Sequence, residues 1–225
     1  MEYFTNYIWE RNGREINEDS LAINQVMINN QPLLMGVVCD GIGSLEEGEL
    51  ASSFVVSCLK NQFEKAGKRG DVTLRKLGHV LCRELYSCHE ALKQRNTGTT
   101  VSIVIIYKTK MRTLSVGDSR IYAGKRKMKL LTKDTSDDQG RLTAAIGVGK
   151  YKRIKWNRGH FGGKSRVLLC SDGFYRRNQK IICRTDFFGG RIGEQEMKER
   201  LETINAEGVV KGERDNASAV IIWRN

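Results

Sequence analysis

Proline is almost absent from this sequence: Pro32 is the only one among 225 residues, and no Ser/Gly-rich or charge-only tract takes its place. Without such tracts, and without a repeat at a fixed period, nothing reads as a linker, so a single domain over residues 1–225 is expected. No apolar stretch reaches the roughly 18 residues needed to span a bilayer. The N-terminus has no basic segment followed by an apolar run, and together these place the chain in the cytoplasm with no membrane partner. The six cysteines include no C-x-x-C pair, which excludes the common zinc and redox motifs and leaves buried, reduced thiols. The three histidines, His79, His89 and His160, show no ligand spacing and receive no role.

Aromatic residues are only 8% of the chain, yet 40% of it is hydrophobic, with Val, Ile and Leu in short clusters throughout. That excludes a disordered chain and suits a core burying roughly three-quarters of the unfolded surface. The net charge of +12 favours an acidic partner, whether nucleic acid, anionic lipid or phosphorylated protein, and does not choose among them.

The first forty residues read as strands and turns, and the apolar run from Leu33 to Cys39 is short enough for a buried strand. A helix follows, with Ala51, Phe54, Cys58 and Leu59 near one face. A second has Leu74, Leu77, Leu81, Leu85, Cys88 and Leu92 at three- and four-residue steps. β-Branched runs over 99–107, 113–116, 120–123, 167–170 and 217–223 predict strands. A late helix is expected from Glu194 to Asn205, with Met197, Leu201 and Ile204 inward. The class is α+β with mainly antiparallel sheets.

Acidic residues sit where these strands begin or end: Asp40 after Val38-Cys39, Asp118 after Val116-Gly117, Asp172 after Cys170-Ser171, and Asp215 before Asn216. Taken singly, each is also an ordinary turn residue, because Asp hydrogen-bonds its own backbone. Converging carboxylates without His or Cys are what hard cations such as Mg2+ and Mn2+ require.

The order and surroundings of these motifs resemble the type 2C, metal-dependent Ser/Thr protein phosphatases, from about Gly13 to the C-terminus. The resembling pieces are GREINED from Gly13 to Asp19, DGIGSLEEGELAS from Asp40 to Ser52, and Gly98-Thr99-Thr100. VGDSRIYAG from Val116 to Gly124, LTKD from Leu131 to Asp134, LTAAIG from Leu142 to Gly147, LLCSDGF from Leu168 to Phe174 and DNASAVII from Asp215 to Ile222 complete the series.

The resemblance implies two antiparallel β-sheets packed as a sandwich, with helices on both outer faces and two divalent cations, Mn2+ or Mg2+, at one edge. It implies that Asp40 bridges the two ions, that Glu18 and the Gly41 carbonyl complete one, and that Asp172 and Asp215 hold the other. Asp19 would meet a metal-bound water, and Asp118 would share a third, weaker ion with Asp172. A metal-bridging hydroxide would then hydrolyse phosphoserine or phosphothreonine in proteins, reversing the work of a Ser/Thr kinase. Arg14 matches the phosphate-binding arginine, although a surface ion pair with a nearby Glu is its plainer reading. The implied partners are phosphorylated proteins and a kinase, for a monomeric enzyme.

Two departures stand out. Ile42 occupies the position where eukaryotic members carry a histidine proposed to protonate the leaving group, so the expected donor is a metal-bound water and the type bacterial. Between Asp134 and Leu142 only seven residues remain of a usually longer flap. Among other residues, Gly43, Gly48 and Gly98 read as backbone-conformation requirements. Arg176, Arg177 and Lys180 are candidates for cations at the mouth. The segment from Lys150 to Trp156 interleaves cations with aromatics, as a nucleic-acid-binding strip does, but reads better as a strand with a solvated face. The alternative to an enzyme is an inactive phosphoprotein-binding regulatory module of the same fold.

Overall fold

The computed structural model describes residues 2–45, 47–70, 72–137, 142–149, 154–184 and 187–225. Three strands open the chain, β1 (Phe4–Glu10), β2 (Asp19–Ile28) and β3 (Gln31–Asp40), and two 21-residue helices follow, α1 (Gly48–Lys68) and α2 (Leu74–Gln94). Next come β4 (Val101–Tyr107), β5 (Lys110–Val116), β6 (Arg120–Gly124), β7 (Met128–Leu130), β8 (Asn157–His160) and β9 (Arg166–Cys170). The chain ends with α3 (Asp172–Tyr175), α4 (Gln179–Ile182), α5 (Glu194–Val210) and β10 (Ala217–Trp223).

The strands form two five-stranded sheets, ordered β1-β10-β9-β6-β7 and β2-β3-β4-β5-β8. Every named strand pairing is antiparallel. Period-two alternation decides what each face buries. In β3, Leu34 and Val38 join Val104, Ile106, Val167, Leu169, Val220 and Ile222 between the sheets. Met35, Val37 and Cys39 of β3 point the other way and pack with Leu59, Phe63, Leu77, Leu81 and Leu85 of α1 and α2. The β1-β10-β9-β6-β7 sheet turns Leu168, Cys170, Ala219 and Ile221 onto Met197, Leu201 and Ile204 of α5 and Phe174 of α3. The fold is thus an α+β sandwich with helices on both outer faces.

The inner face of α1 differs from the expected one. Ala51, Val55, Leu59 and Phe63 are buried and Cys58 is half-buried, whereas Phe54 is 41% exposed. Phe54 lies one residue, about 100° of helix rotation, behind Val55 and so off the stripe. The expected strand over 150–156 is also corrected in its described part: Ile154 to Trp156 are not strand, and β8 begins at Asn157. Trp156 is drawn onto α2, where its Nε1 donates to the Gly78 carbonyl at 3.0 Å. Residues 150–153 lie outside the described part, as do 138–141 of the shortened flap. The six cysteines are free thiols, three of them buried and three half-buried.

The α1 geometry separates two substitutions. Phe54→Ser should change stability by no more than about 0.5 kcal/mol, while Leu59→Ala should cost about 2–5 kcal/mol. Urea unfolding of both variants checks this, and equal losses would return Phe54 to the core face.

Candidate metal centre

The alternation that buries Leu34 and Val38 also carries Asp40 to the inner face at the end of β3, where the apolar filling stops. Its backbone is fixed there by β4's approach: Asp40 N–H donates to Thr100 Oγ1 at 3.0 Å, and its carbonyl accepts from Thr100 N–H at 2.8 Å. Asp19 stands directly opposite Asp40 in the β2–β3 ladder. Ser171, just past β9, donates its hydroxyl to Asp19 Oδ2 at 2.8 Å, a bond that crosses from one sheet to the other. Gly41 N–H donates to the Glu18 carbonyl at 3.1 Å.

Glu18 is placed by Asn216, whose Oδ1 accepts from Glu18 N–H at 2.9 Å while its amide donates to the carbonyls of Arg11 and Ile16. The Glu18 carboxylate lies against Gly43 and Gly48: a Cβ on either would stand 2.5 or 2.7 Å from a carboxylate oxygen. Neither glycine, nor Gly98, has a positive φ. They are needed for space and not for backbone conformation, which corrects the expectation from sequence.

On the opposite sheet, Asp172 opens α3 and Asp215 precedes β10. Asp118 follows Gly117, whose φ of 107° makes the turn out of β5. The Asp118 carbonyl accepts from the Tyr175 hydroxyl at 3.0 Å. Arg120 lies 3.9 Å over the Tyr175 ring and forks onto Asp134, giving the LTKD aspartate a supporting place outside the cavity.

Arg14, Glu18, Asp40, Asp118, Asp172 and Asp215 line one cavity of about 200 Å3, with Gly41 and Ile42 in its wall. Asp19 is not in that lining; it is 1% exposed and supports Asp40 from behind. The structure gives Arg176 a different place from the expected one and adds Glu213 as a partner. Arg176 donates to Asp172 and reaches Glu213 at 3.3 Å and Asp215 at 3.7 Å. It is therefore a counter-charge inside the carboxylate cluster and not a free cation at the mouth. Buried Glu213 accepts from the N–H groups of Arg214 and Asp215 and so shapes the turn. The plainer reading of Arg14 is corrected in its partner: its Nη2 meets Asp215 at 3.0 Å, not a Glu.

Crowding shows in the carboxyl groups. Burial, then the neighbouring Asp19, Asp172, Asp118 and Asp215, push Asp40 well above the usual carboxylate range. Burial raises Asp172 to about 7 against the pull of Arg176, and Asp19 to about 6 against its hydroxyl partners. Burial likewise raises Glu18 and Asp118. Asp19 Oδ1 is buried without a hydrogen-bond partner. An all-oxygen donor set short of positive charge fits hard divalent cations. Among the described residues, the His, Cys, Asp or Glu group with all ligand atoms within 4.8 Å is Cys58, Glu84 and Cys88, between α1 and α2. No three of the cavity carboxylates therefore bring ligand oxygens within 4.8 Å of one another.

Residues 10–211 match the family described as Protein phosphatase 2C. A Listeria welshimeri protein named Serine/threonine phosphatase stp is 23% identical over 238 residues, covering 94% of this chain and 92% of the relative. The solved structure of a bacterial serine phosphatase superposes with a TM-score of 0.83 at 20% identity, covering 98% of this chain and 97% of the other. That of the S. agalactiae serine/threonine phosphatase gives 0.81 at 16% identity, with 100% of both chains covered. Among the described residues, no helix is long and apolar enough to cross a membrane.

The raised carboxyls predict a pH dependence. A free Asp titrates near 3.9, so between about pH 4 and pH 7 the folded protein binds more protons at Asp19 and Asp172 than the unfolded chain does. Stability from these groups is present below that interval and is lost as pH rises through it. Melted in chelator, the protein should therefore have a higher Tm at about pH 5.5 than at about pH 8. The gain should shrink in Asp172→Asn, and Mn2+ should raise Tm more at the higher pH. A Tm that does not rise on acidification would contradict the assignment.

Proposed function

The chain belongs to the protein phosphatase 2C family, and we propose that its acidic cavity hydrolyses phosphoserine and phosphothreonine in proteins with two divalent cations, Mn2+ or Mg2+, and a third, weaker one. The observation that carries this reading is the meeting of Glu18, Asp40, Asp118, Asp172 and Asp215, brought from separate segments of both sheets, around one cavity with Arg14 at its side. Bound there, divalent cations would lower the pKa of a shared water enough to supply a nucleophile for phosphorus near neutral pH.

Asp40, central among the carboxylates, would bridge the two main ions. Glu18 with the Gly41 carbonyl would complete one site, and Asp172 with Asp215 the other. Asp118 would serve the third together with Asp172. Asp19, held by Ser171, would keep the Asp40 carboxylate oriented. Arg14 is 51% exposed and can leave Asp215 for two oxygens of an incoming phosphate, for which its planar fork is suited. Arg176 would yield Asp172 and Asp215 in the loaded protein and keep Glu213. Ile42 lines the cavity and has no proton to give, so no side chain at that position serves as general acid. The chain would act as one monomeric catalytic domain in the cytoplasm, on proteins that a Ser/Thr kinase has phosphorylated.

On a phosphothreonine peptide with Mn2+ or Mg2+, Asp40→Asn, Asp172→Asn and Asp215→Asn should each lower kcat by at least about a hundredfold with the fold intact by circular dichroism. Excess chelator should abolish turnover. Peptide binding without turnover in the metal-loaded wild type would favour the regulatory-module alternative.

Arg14→Ala should raise KM by about tenfold and weaken inhibition by free phosphate, with Arg14→Lys between the two. Asp118→Ala should keep two tightly bound ions while losing most of kcat. Metal counting by inductively coupled plasma spectrometry decides that case, since a single remaining ion would place Asp118 in the main centre.

A further inference from the structure

At the end of the sandwich away from the acidic cavity, Arg166 opens β9 with its side chain 1% exposed. Its Nη1 donates to the carbonyls of Lys125 and Lys164 at 2.6 and 3.0 Å, and its Nη2 to that of Gly190. Its Nε is buried without a partner. A buried guanidinium normally meets a carboxylate, because neutral carbonyls satisfy its hydrogen bonds but leave its charge uncompensated. Here burial, and then the nearby Arg200, lower its pKa.

The three carbonyls belong to loops that wall a cleft of about 860 Å3. Lys125, Arg126, Lys164, Arg191 and Arg224 line it with Arg166, against one carboxylate side chain, that of Glu2. Among the described residues none of these six cations has a carboxylate at ion-pair distance. Cations gathered from the β6–β7 turn, the loop before β9, the loop before α5 and the end of β10 repel one another, and among the described residues Glu2, the carboxylate side chain in the lining, pairs with none of them. The volume lies in the range of small-molecule sites, and a concave wall suits a compact ligand better than a flat bilayer.

We propose that this cleft is a second anion site, separate from the metal centre, that takes a small ligand carrying two or more linked phosphates. Forked guanidiniums of Arg126, Arg191 and Arg224 would hold phosphate oxygens in pairs. The lysines would add point charges, and Arg166 would contribute its field from beneath while keeping the loops in place. Inorganic tripolyphosphate and a nucleoside triphosphate both carry this group, and what the cleft recognises in each is the polyphosphate.

Calorimetric titration of the full chain in excess chelator, with tripolyphosphate and separately with ATP, tests the site. Arg166→Met risks misfolding, so the rim is changed instead. Lys125→Ser/Arg191→Ser should weaken tripolyphosphate binding by about tenfold or more. Arg14→Ala should leave it unchanged. Arg112→Ser/Arg158→Ser serves as a control: it removes the same charge from a different cationic cleft on β5 and β8, and should also leave binding within about twofold. ATP binding more tightly than tripolyphosphate would identify the nucleotide as the ligand source, and equal affinity would identify the phosphate chain itself. The proposal is overturned by no binding at millimolar tripolyphosphate, by equal losses in both double variants, which would mean diffuse attraction, or by loss in Arg14→Ala, which would place the anion in the metal centre.

Discussion

Everything at the acidic end of this protein follows from like charges held together against their repulsion by an apolar sandwich. The inner faces of both sheets are filled by Leu34, Val38, Val104, Leu169, Val220 and their neighbours. Asp40 and Asp19 then occupy the next inward positions of β3 and β2, and Ser171 and Ser218 those of the facing strands. The carboxylates cannot move apart without breaking strand register, and register cannot slip without exposing the core. Free energy from burial thus maintains a site that electrostatics alone would disperse. The raised carboxyls at Asp40, Asp172 and Asp19 are the signature of that conflict.

Arginines partly offset it. Arg14 and Arg176 bracket Asp215, and Arg176 also reaches Asp172 and Glu213. Both arginines are half-exposed at 51% and 46%, so each can swing to water at little cost. Arg120 differs. It is 16% exposed, forked onto Asp134 and stacked on Tyr175, and through Tyr175 it fixes the Asp118 carbonyl. The cavity therefore has a rigid wall behind Asp118 and movable cations around Asp172 and Asp215, the division expected where a charged substrate must enter a preformed site.

The sequence made the frame legible because strand and helix periods are local. The α2 stripe from Leu74 to Leu92, the inward residues of α5 and the limits of β10 agree with the structure. Phe54 misled because an aromatic residue near a helical stripe satisfies an approximate period while pointing to solvent. Trp156 misled because its hydrogen bond to Gly78 spans 78 residues, a distance no window of alternation samples. The cavity residues were legible through motif order. Arg176 was placed at the mouth because its reach to Glu213 and Asp215 spans about forty residues, and Glu213 and Asn216 received no site role because Arg176, Glu18, Arg11 and Ile16, which they meet, lie on other segments.

Glu18 shows what kind of information sequence order withholds. Its motif position marks it as a ligand candidate, but its placement depends on Asn216 from the far end of the chain and on bare backbone at Gly43 and Gly48. Read locally, those glycines suggest turns; in three dimensions they are the room a carboxylate occupies. The same reasoning applies at the basic end. Arg166 looks like an ordinary strand-opening arginine until its three carbonyl partners, from loops 2, 41 and 24 residues away, are seen to be neutral. β9 carries that uncompensated charge at its start and leads to Asp172 just beyond its end, so one strand of five residues, about 17 Å long, separates the two charged ends of the molecule. At that separation solvent and salt around the charged ends screen their attraction, so neither end neutralises the other; the acidic end has Arg14 and Arg176 as partial counter-charges, while the cations of the basic end have no carboxylate at ion-pair distance among the described residues.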